Sequence, residues 1–247
     1  MKNEAIIEIR DLVAKYGEKT VLDGISVDIY PGEVTVILGG SGCGKTTLLK
    51  NMLRLYEPFS GSVRFCGEEI LTMDEKAFNR VLQQIGMLFQ NGALLNSMSV
   101  YDNVSIPLEL HTKLPRHIID RIIRVKLHLE GLSEAIYKFP SELSGGMKKR
   151  AALARAMALD PLILFCDEPS AGLDPITSAA LDDLILDLKQ QLSMTIVIVT
   201  HELASIHRIA DRIIFLEGGK MLFNGSLPDA KRAGIPQIDR FFEVGKF

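Results

Sequence analysis

A run of apolar, mostly β-branched residues leads directly into a glycine-rich loop, and this combination most constrains the fold. Residues 34–38 read VTVIL, residues 39–46 read GGSGCGKT, and a helix is predicted from about Lys45. A continuous apolar run without alternation is typical of a parallel strand that is buried on both faces. The order of buried strand, glycine loop and helix therefore predicts an α/β fold with the loop at the edge of a parallel sheet.

The loop has the GxxxxGK[ST] spacing of a phosphate-binding site. Its glycines let main-chain N–H groups curve around a phosphate, and the helix that follows adds the positive end of its dipole. We expect Lys45 to reach the β- and γ-phosphates and the hydroxyl of Thr46 to ligate Mg²⁺. A glycine turn with a chance lysine is the alternative, which the flanking strand and helix disfavour. The predicted nucleotide contacts here are Gly39, Gly40, Ser41, Gly42, Cys43, Gly44, Lys45, Thr46 and Thr47.

Two adjacent carboxylates follow a second apolar run and suggest the metal-binding half of the site. Leu162–Cys166 reads LILFC, and Asp167 and Glu168 come next. A carboxylate at the carboxyl end of a buried parallel strand points into the crevice where ligands bind. We predict that Asp167 holds Mg²⁺, directly or through water, and that Glu168 polarises an attacking water as general base. Two solvated acids at a strand end are the alternative.

Three further side chains are candidates for the same site. His201 follows the predicted strand Thr195–Thr200 and can contact the γ-phosphate, although a lone histidine is often structural. Gln90 follows the predicted strand Ile85–Phe89 and can complete the shell of the Mg²⁺ or of the water. Tyr16 can stack on a base, although an aromatic residue in an N-terminal turn is often only packing.

A second glycine turn precedes a predicted helix. Ser144, Gly145 and Gly146 stand before Met147, where we expect the helix to begin, and residues 148–150 read KKR. Cations are unfavourable in the first turn, because the helix N-terminus already carries partial positive charge. The pattern therefore suggests that an anion docks there. The alternative is a Ser144 N-cap with solvated cations.

The rest of the chain fits a single α/β domain. Predicted strands Ile6–Arg10 and Val21–Ile29 indicate an N-terminal antiparallel part, and Ser178–Leu192 has helical spacing. Segments near 116–130 and 147–159 indicate a helical subdomain inserted into the mainly parallel core sheet. We divide the domain, residues 1–247, into a nucleotide-binding core (1–90 and 161–227), a helical subdomain (91–160) and a C-terminal tail (228–247).

Composition excludes several classes of protein. The net charge of −3 argues against general nucleic-acid binding, so we expect no nucleic-acid partner. The three cysteines lack metal-ligand spacing and suit a reducing compartment. The N-terminal residues carry acids where a signal peptide has basic and then apolar residues, and no run approaches the ~18 apolar residues of a membrane-spanning helix. We expect the chain itself to be soluble and cytosolic.

In this order the motifs resemble those of the nucleotide-binding subunits of ABC transporters, over nearly the whole chain. The resemblance implies the P-loop NTPase fold of ABC ATPases, with ATP and Mg²⁺ as cofactors and membrane permease subunits as partners. It also implies that two copies face head to tail around two ATP molecules. The matching positions are Tyr16 for adenine stacking, residues 39–46 for the phosphate loop, Gln90, the signature LSGGM at 143–147, Asp167 and Glu168, the D-loop Ser170–Asp174, and His201.

The resemblance gives the second glycine turn a function. In the family, the signature turn of one subunit contacts the γ-phosphate held by the other subunit, so Ser144, Gly145 and Gly146 meet an anion across the dimer. The family usually has glutamine where this chain has Met147, so a side-chain contact from that position is lost. Asp174 ends the D-loop SAGLD, which has one residue more than the frequent SALD.

The signature and D-loop variants, with the sequence QNGALLNSMSVYDNV after Phe89, look like the Mla branch of the family. That branch implies an ATPase on the cytoplasmic face of the bacterial inner membrane. It also implies phospholipid traffic between inner and outer membranes, which maintains outer-membrane asymmetry, and an MCE-domain lipid-binding partner. An ABC subunit for another cargo, such as an amino acid or a lipoprotein, is the main alternative. A soluble ABC protein of translation or DNA repair is a further alternative, but those usually have two modules or a coiled-coil insert.

Two apolar segments are left for partners or packing. We expect Asn91–Leu110 to contact the membrane subunits, through an apolar patch beside Gln90. The C-terminal tail either packs on its own domain or contacts a partner. The residues of the patch are Leu94, Leu95, Met98, Val100 and Tyr101, and those of the tail are Ile235, Ile238, Phe241, Phe242 and Val244.

Overall fold

The structure, a computed structural model, describes residues 4–243 and contains two sheets surrounded by helices. Val244, one of the apolar tail residues, lies outside the described residues. In the described part the strands are β1 (Ile7–Tyr16), β2 (Lys19–Ile29), β3 (Val34–Gly39), β4 (Ser60–Phe65), β5 (Glu68–Glu69), β6 (Ile85–Leu88), β7 (Ile163–Asp167), β8 (Thr195–Val199), β9 (Arg212–Glu217) and β10 (Lys220–Ser226). The helices there are α1 (Lys45–Met52), α2 (Glu75–Leu82), α3 (Val100–His111), α4 (Arg116–Leu129), α5 (Gly145–Ala156), α6 (Pro175–Leu192), α7 (Leu203–Ile209), α8 (Leu227–Arg232) and α9 (Pro236–Glu243).

The core sheet has the order β10-β9-β3-β8-β7-β6, with parallel pairing from β9 to β6 and an antiparallel edge at β10. Strands β3 and β8 are buried along their whole length. Burying one Val or Ile side chain stabilises the fold by about 1.5–3 kcal/mol, so these strands contribute strongly to the core. The predicted α/β class with a mainly parallel core sheet is confirmed.

The second sheet is antiparallel in the order β2-β1-β4-β5 and confirms the predicted N-terminal β part. Strand β1 was expected to end at Arg10, yet it continues to Tyr16. Arg10 and Asp11 are both exposed, and the pairing with β2 and β4 shifts register just after Arg10. This bulge interrupts the apolar alternation, and the buried residues Leu12 and Ala14 resume it on the far side.

Helices α3, α4 and α5 lie between β6 and β7 in the chain and enclose an apolar cluster of their own. Helix α3 begins with a capping box, in which the Ser99 hydroxyl accepts the Asp102 N–H and the Asp102 carboxylate accepts the Ser99 N–H. Helix α4 supplies Ile119, Ile123 and Leu127 to the cluster, at helical spacing. The inserted helical part is therefore built around a separate core from that of the sheet.

The described part of the C-terminal tail packs on its own domain. Ile238 and Phe242 of α9 are buried in the core on one face of the large sheet. The rings of Phe241 and Phe215 meet edge to face with centroids 5.7 Å apart. Of the two alternatives for the tail, packing in cis describes it up to residue 243. Within residues 4–243, no helix is both long enough and apolar enough to cross a membrane.

Candidate functional site

The phosphate loop, Gly39–Thr46, leaves the carboxyl end of β3 and enters α1. Gly39 has φ +143°, and a Cβ there would lie 2.1 Å from the Leu216 carbonyl oxygen. That contact is far below any van der Waals distance, so only glycine fits at this point. The ammonium of Lys45 donates to the carbonyls of Gly39 and Gly40, both at 3.0 Å. Lys45 therefore lies against the loop that is predicted to hold phosphate.

A hydroxyl and a carboxylate converge beside this loop. Thr46 Oγ1, at the start of α1, lies 3.5 Å from the carboxylate of Asp167, which ends β7. Burial raises the pKa of Asp167, and the neighbouring Glu168 raises it further. A bound cation would reverse this effect, because it favours the ionised carboxylate. The pair fits Mg²⁺, which takes hard oxygen ligands and usually keeps several waters and substrate phosphates in its shell.

Within residues 4–243 no cluster of three His, Cys, Asp or Glu side chains could hold a metal ion. A cation at Thr46 and Asp167 would therefore depend on nucleotide phosphates and water for its other ligands, as Mg²⁺ commonly does in phosphoryl-transfer sites.

Glu168 has a main-chain conformation that its sequence does not reveal. Its φ is +47°, in the left-handed region, which costs a non-glycine residue about 1–3 kcal/mol. Its N–H donates to the Val199 carbonyl at 2.8 Å, and its carbonyl accepts the Ala171 N–H at 3.2 Å. Its Oε1 lies 2.9 Å from Nδ1 of His201. The strained residue therefore connects the ends of β7 and β8.

Gln90 and Tyr16 lie at or just beyond the ends of strands. Gln90 is exposed two residues beyond the end of β6, and its main-chain carbonyl accepts a hydrogen bond from Lys149. Tyr16 is the last residue of β1 and not part of a turn. Tyr16 is 44% exposed, and its ring lies 4.5 Å from the ring of Tyr56, centroid to centroid. A partly exposed aromatic residue of this kind can stack on a base.

Helix α5 begins at Gly145, two residues earlier than predicted. The exposed Ser144 is its N-cap, and the Ser144 hydroxyl accepts the Met147 N–H at 3.3 Å. Gly145, the first residue of α5, is also exposed. Gly146 is buried, and a Cβ there would lie 2.5 Å from Cγ2 of Thr177. The second glycine therefore allows α5 to pack against the start of α6.

Two of the three cations that follow this turn donate hydrogen bonds to main-chain carbonyls. Lys149 is only 6% exposed and donates to main-chain carbonyls inside the protein. Arg150 is half-buried and donates to the Glu130 carbonyl at 3.2 Å. These two side chains therefore do not fit the alternative of cations solvated on the surface. Buried backbone carbonyls need hydrogen-bond donors, and these cations provide them.

Asp174 caps the next helix. Its carboxylate accepts the N–H groups of Ile176 and Thr177, at 3.1 and 3.0 Å, so that α6 begins at Pro175 and not at the predicted Ser178. The Thr177 hydroxyl also donates to this carboxylate and is the main reason that the pKa of Asp174 is lowered. Because Thr177 also touches Gly146, the D-loop residue and the second glycine turn share one packing contact.

The segment after Gln90 lines an apolar groove of about 440 Å³ between the sheet and the helical part. Leu95 is 48% exposed in this groove, whereas Val100, predicted as part of the exposed patch, is fully buried in the helical cluster. We call this surface the groove; its lining includes Phe89, Leu95, Ile106, Pro107, Leu110 and Leu159.

Asn103 is a functional candidate that the sequence reasoning missed. It is fully buried, its Oδ1 accepts the Leu95 N–H at 2.7 Å, and its Nδ2 donates to the carbonyls of Leu95 and Ser99, at 3.1 and 2.9 Å. An asparagine within the apolar segment Asn91–Leu110 is a visible signal, because a buried amide must find partners. Here its partners fix the loop that carries Leu95 into the groove.

Comparison with known proteins adds an independent finding. A sequence model of the family described as "ABC transporter" matches residues 22–171. The chain is 43% identical over 207 residues to the "Probable ribonucleotide transport ATP-binding protein mkl" of Mycobacterium leprae, a match that covers 84% of this chain. It spans only 60% of the length of that relative. It is 39% identical over 238 residues to the "Intermembrane phospholipid transport system ATP-binding protein MlaF" of Escherichia coli K12, covering 96% of this chain and 88% of that protein.

The fold is also similar to solved structures. One is described as the dimeric structure of a post-hydrolysis state of the ATP-binding cassette MJ0796 bound to ADP and Pi. It superposes with a TM-score of 0.82 at 27% sequence identity, covering 90% of this chain and 98% of the other.

Proposed function

The chain belongs to the ABC transporter family, and from this premise we propose that it hydrolyses ATP to drive phospholipid movement between the inner and outer membranes of a bacterium. ATP hydrolysis is supported by two side-chain contacts beside the phosphate loop. Thr46 lies next to Asp167, and Glu168 lies next to His201. One pair has the oxygen chemistry of a Mg²⁺ site, and the other has that of a positioned general base.

The residues divide the chemical work between them. Lys45 and the loop N–H groups would bind the β- and γ-phosphates, while Thr46, Asp167 and Gln90 would hold Mg²⁺. When bound, Mg²⁺ neutralises charge that develops on the transferred phosphoryl group. Glu168 orients and polarises the attacking water, and His201 keeps the carboxylate in place and contacts the γ-phosphate. Tyr16 stacks on the adenine.

We assign the second glycine turn to the partner's ATP. Ser144 and Gly145, at the start of α5, are exposed, which suits an anion arriving from outside the chain. Two copies would face head to tail, so that Ser144, Gly145, Gly146 and Met147 of one copy contact the γ-phosphate held by the other, with Asp174 nearby. The dimeric ATP-binding cassette with a similar fold supports this arrangement.

Phospholipid is the proposed cargo because the chain matches the phospholipid-transport protein of E. coli over 96% of its own length. A ribonucleotide is the second candidate, since the mycobacterial relative with that name is 43% identical. That relative supports its cargo less strongly, because the chain spans 60% of it. Cargo does not touch a nucleotide-binding subunit, so this chain's own residues do not decide between them.

The proposed partners are membrane permease subunits, with an MCE-domain lipid-binding protein in the same assembly. The groove beside Gln90 is the proposed docking site for a permease segment, which would locate the chain peripherally on the cytoplasmic face of the inner membrane. We propose a role for each part of the domain. Residues 1–90 and 161–227 bind nucleotide, residues 91–160 move with the signature turn, and residues 228–247 form the tail.

The deciding experiment purifies the assembly through a tag on this chain and identifies its partners by mass spectrometry. We expect permease subunits together with an MCE-domain protein, and ATP-dependent transfer of labelled phospholipid between vesicles. Partners with a ribonucleotide-binding subunit, and no lipid transfer, would favour the second candidate.

A further inference from the structure

Lys149 connects parts of the site that lie far apart in the sequence. It belongs to α5, and only 6% of its surface is exposed. Its ammonium donates to the carbonyl of Gln90 and also lies 3.5 Å from the carbonyl of Glu168. One side chain therefore joins the helix capped by Ser144 to the main chain of two proposed site residues.

A buried ammonium at this point calls for an explanation beyond packing. Removing an ammonium from water is costly, and burial lowers the pKa of Lys149, although the neighbouring Glu168 and Glu202 act in the opposite direction. An apolar side chain of similar length would fill the same space without that cost. What only the cation provides is a strong donor to two carbonyls that follow strand ends.

The contact with Glu168 concerns its strained conformation. The residue has φ +47°, with its N–H fixed by Val199 and its carbonyl accepting the Ala171 N–H. Lys149 approaches the same carbonyl from α5. The direction of the Glu168 side chain depends on this left-handed backbone, so a shift of Lys149 changes the geometry of the carboxylate.

We propose that Lys149 is a positioning residue that couples the orientation of α5 to Gln90 and Glu168 of the same chain. The inference rests on the proposed function, in which Ser144 and its neighbours serve the partner's ATP and Glu168 serves the chain's own. Movement of α5 as it engages the partner's nucleotide is then transmitted through Lys149 to the chain's own hydrolytic residues. The lysine thus links the two ATP sites of the dimer.

The test is Lys149→Met, which keeps length and apolar contact and removes the donor. Lys149 donates to main-chain carbonyls and not to the side chains proposed to bind nucleotide, so the dissociation constant of the purified full chain for ATP, measured without Mg²⁺, should stay within about twofold of wild type. The kcat of the assembly purified through this chain should fall by about tenfold or more, as expected when a catalytic group is misplaced. Lys149→Arg, which retains a cationic donor, should recover part of the loss.

A second readout does not depend on turnover. Hydrogen exchange at the amides of Gly92 and Ala171 should accelerate in Lys149→Met, because these amides close the turn that contains Gln90 and the turn that begins at Glu168. If Lys149→Met does not fold, Lys149→Gln, with a shorter neutral donor, should give the same split between unchanged ATP affinity and reduced kcat.

Lys126→Met is the matched control. The Lys126 side chain is only 13% exposed and pairs with Asp160 at the edge of the same helical part, away from Gln90 and Glu168. Lys126→Met should lower the Tm about as much as Lys149→Met does, while leaving kcat within about twofold of wild type. Equal kcat losses in both variants, or a Lys149→Met kcat near wild type, would overturn the coupling role.

Glu168→Gln, measured in parallel, distinguishes failure of the coupling role from failure of the proposed function. If it abolishes turnover while Lys149→Met turns over normally, the coupling role alone is wrong. If Glu168→Gln itself turns over at the wild-type rate, the proposed function is wrong at its catalytic base.

Discussion

Nδ1 of His201 lies 2.9 Å from Oε1 of Glu168, so that one side chain after β8 orients the carboxylate that follows β7. The histidine side chain is 67% exposed, whereas the glutamate side chain is 15% exposed. The carboxylate therefore lies largely inside the protein, while the imidazole bonded to it is exposed to solvent. A general base needs this kind of fixed direction, because its catalysis depends on hydrogen-bond reach to one water.

Glu168→Gln should retain ATP binding and lose turnover. The amide keeps nearly the same shape but carries no charge with which to polarise water, so kcat should fall by roughly 100-fold or more. Steady-state ATPase measurements and a nucleotide-binding titration check the two halves. Glu134→Gln, at an exposed position in the helical part, is the control and should turn over normally. Wild-type turnover in Glu168→Gln would remove Glu168 from the mechanism.

Leu95→Glu should release the membrane partner without unfolding the chain. Leu95 is 48% exposed in the groove. The side chain of Asn103 holds the loop through hydrogen bonds with the main chain of Leu95, and the substitution leaves these bonds intact. A carboxylate in an apolar contact would be desolvated without a partner. Co-purification of the permease should be lost, while the Tm of the isolated chain stays close to wild type.

The control for the groove is Leu129→Glu. Leu129 is 61% exposed at the end of α4, outside the groove lining. It should leave the partner bound. A permease that stays bound to Leu95→Glu, or that is released equally by both variants, would contradict docking at the groove.

Glu130 should make the stability of the fold depend on pH. It is 6% exposed, and burial raises its pKa from the ordinary value of 4.5 to about 7, although Arg150 and Lys126 attract the charged form. The folded state therefore binds this proton more tightly than the unfolded state. Its contribution to stability is fully present below about pH 4.5 and is lost as pH rises through about 7, with an upper bound of about 3 kcal/mol.

Glu130→Gln removes this titration. Urea unfolding of wild type and variant near pH 5 and near pH 8 isolates the Glu130 contribution, because the other groups are common to both. The wild type should lose more stability than the variant between these two values. Parallel pH dependence of the two proteins would mean that Glu130 titrates at its ordinary pKa.

The sequence predicted the elements whose signals are local. Residues 34–38 are apolar without alternation, and the structure confirms a buried parallel strand there. The glycine spacing from Gly39 likewise predicted a loop between β3 and α1, and a Cβ at Gly39 would meet Leu216. Such features depend on residue type and on neighbours a few positions away, so a local sequence pattern predicts them.

The features that the sequence did not reveal depend on distant parts of the chain. Lys149 lies in a run of cations, a pattern that is typical of solvent exposure. Its ammonium instead donates to the carbonyl of Gln90, 59 positions earlier. The left-handed φ of Glu168 is held by Val199 of a neighbouring strand. Val100 has the same apolar character as Leu95, and only the packing of the helical cluster buries it.

The final prediction concerns two lesions in separate copies of the chain, one in the phosphate loop and one in the second glycine turn. Lys45→Ala removes the ammonium that is proposed to contact the phosphates. Gly145→Asp adds negative charge at the first residue of α5, where the partner's γ-phosphate is proposed to approach. A homodimer of either variant has two damaged sites, so neither should hydrolyse ATP.

Gly145 suits this test better than Gly146. A Cβ at Gly145 meets only Leu173 Cδ2, at an ordinary 3.4 Å, whereas one at Gly146 would lie 2.5 Å from Thr177. An acidic residue in the first turn also interacts favourably with the helix dipole, so Gly145→Asp should fold at least as well as wild type. Its loss of activity would then report the anion contact and not a broken helix.

Mixing the two inactive variants distinguishes service in trans from service in cis. If the turn serves the partner's ATP, the mixed dimer collects both lesions in one site and leaves the other intact. If the turn serves its own chain's ATP, every site in the mixed dimer carries one lesion. We therefore expect the mixture to regain part of the ATPase activity, or to trap nucleotide at one site. A mixed dimer that assembles and binds ATP, yet hydrolyses and traps no more than its parents, would count against the head-to-tail arrangement.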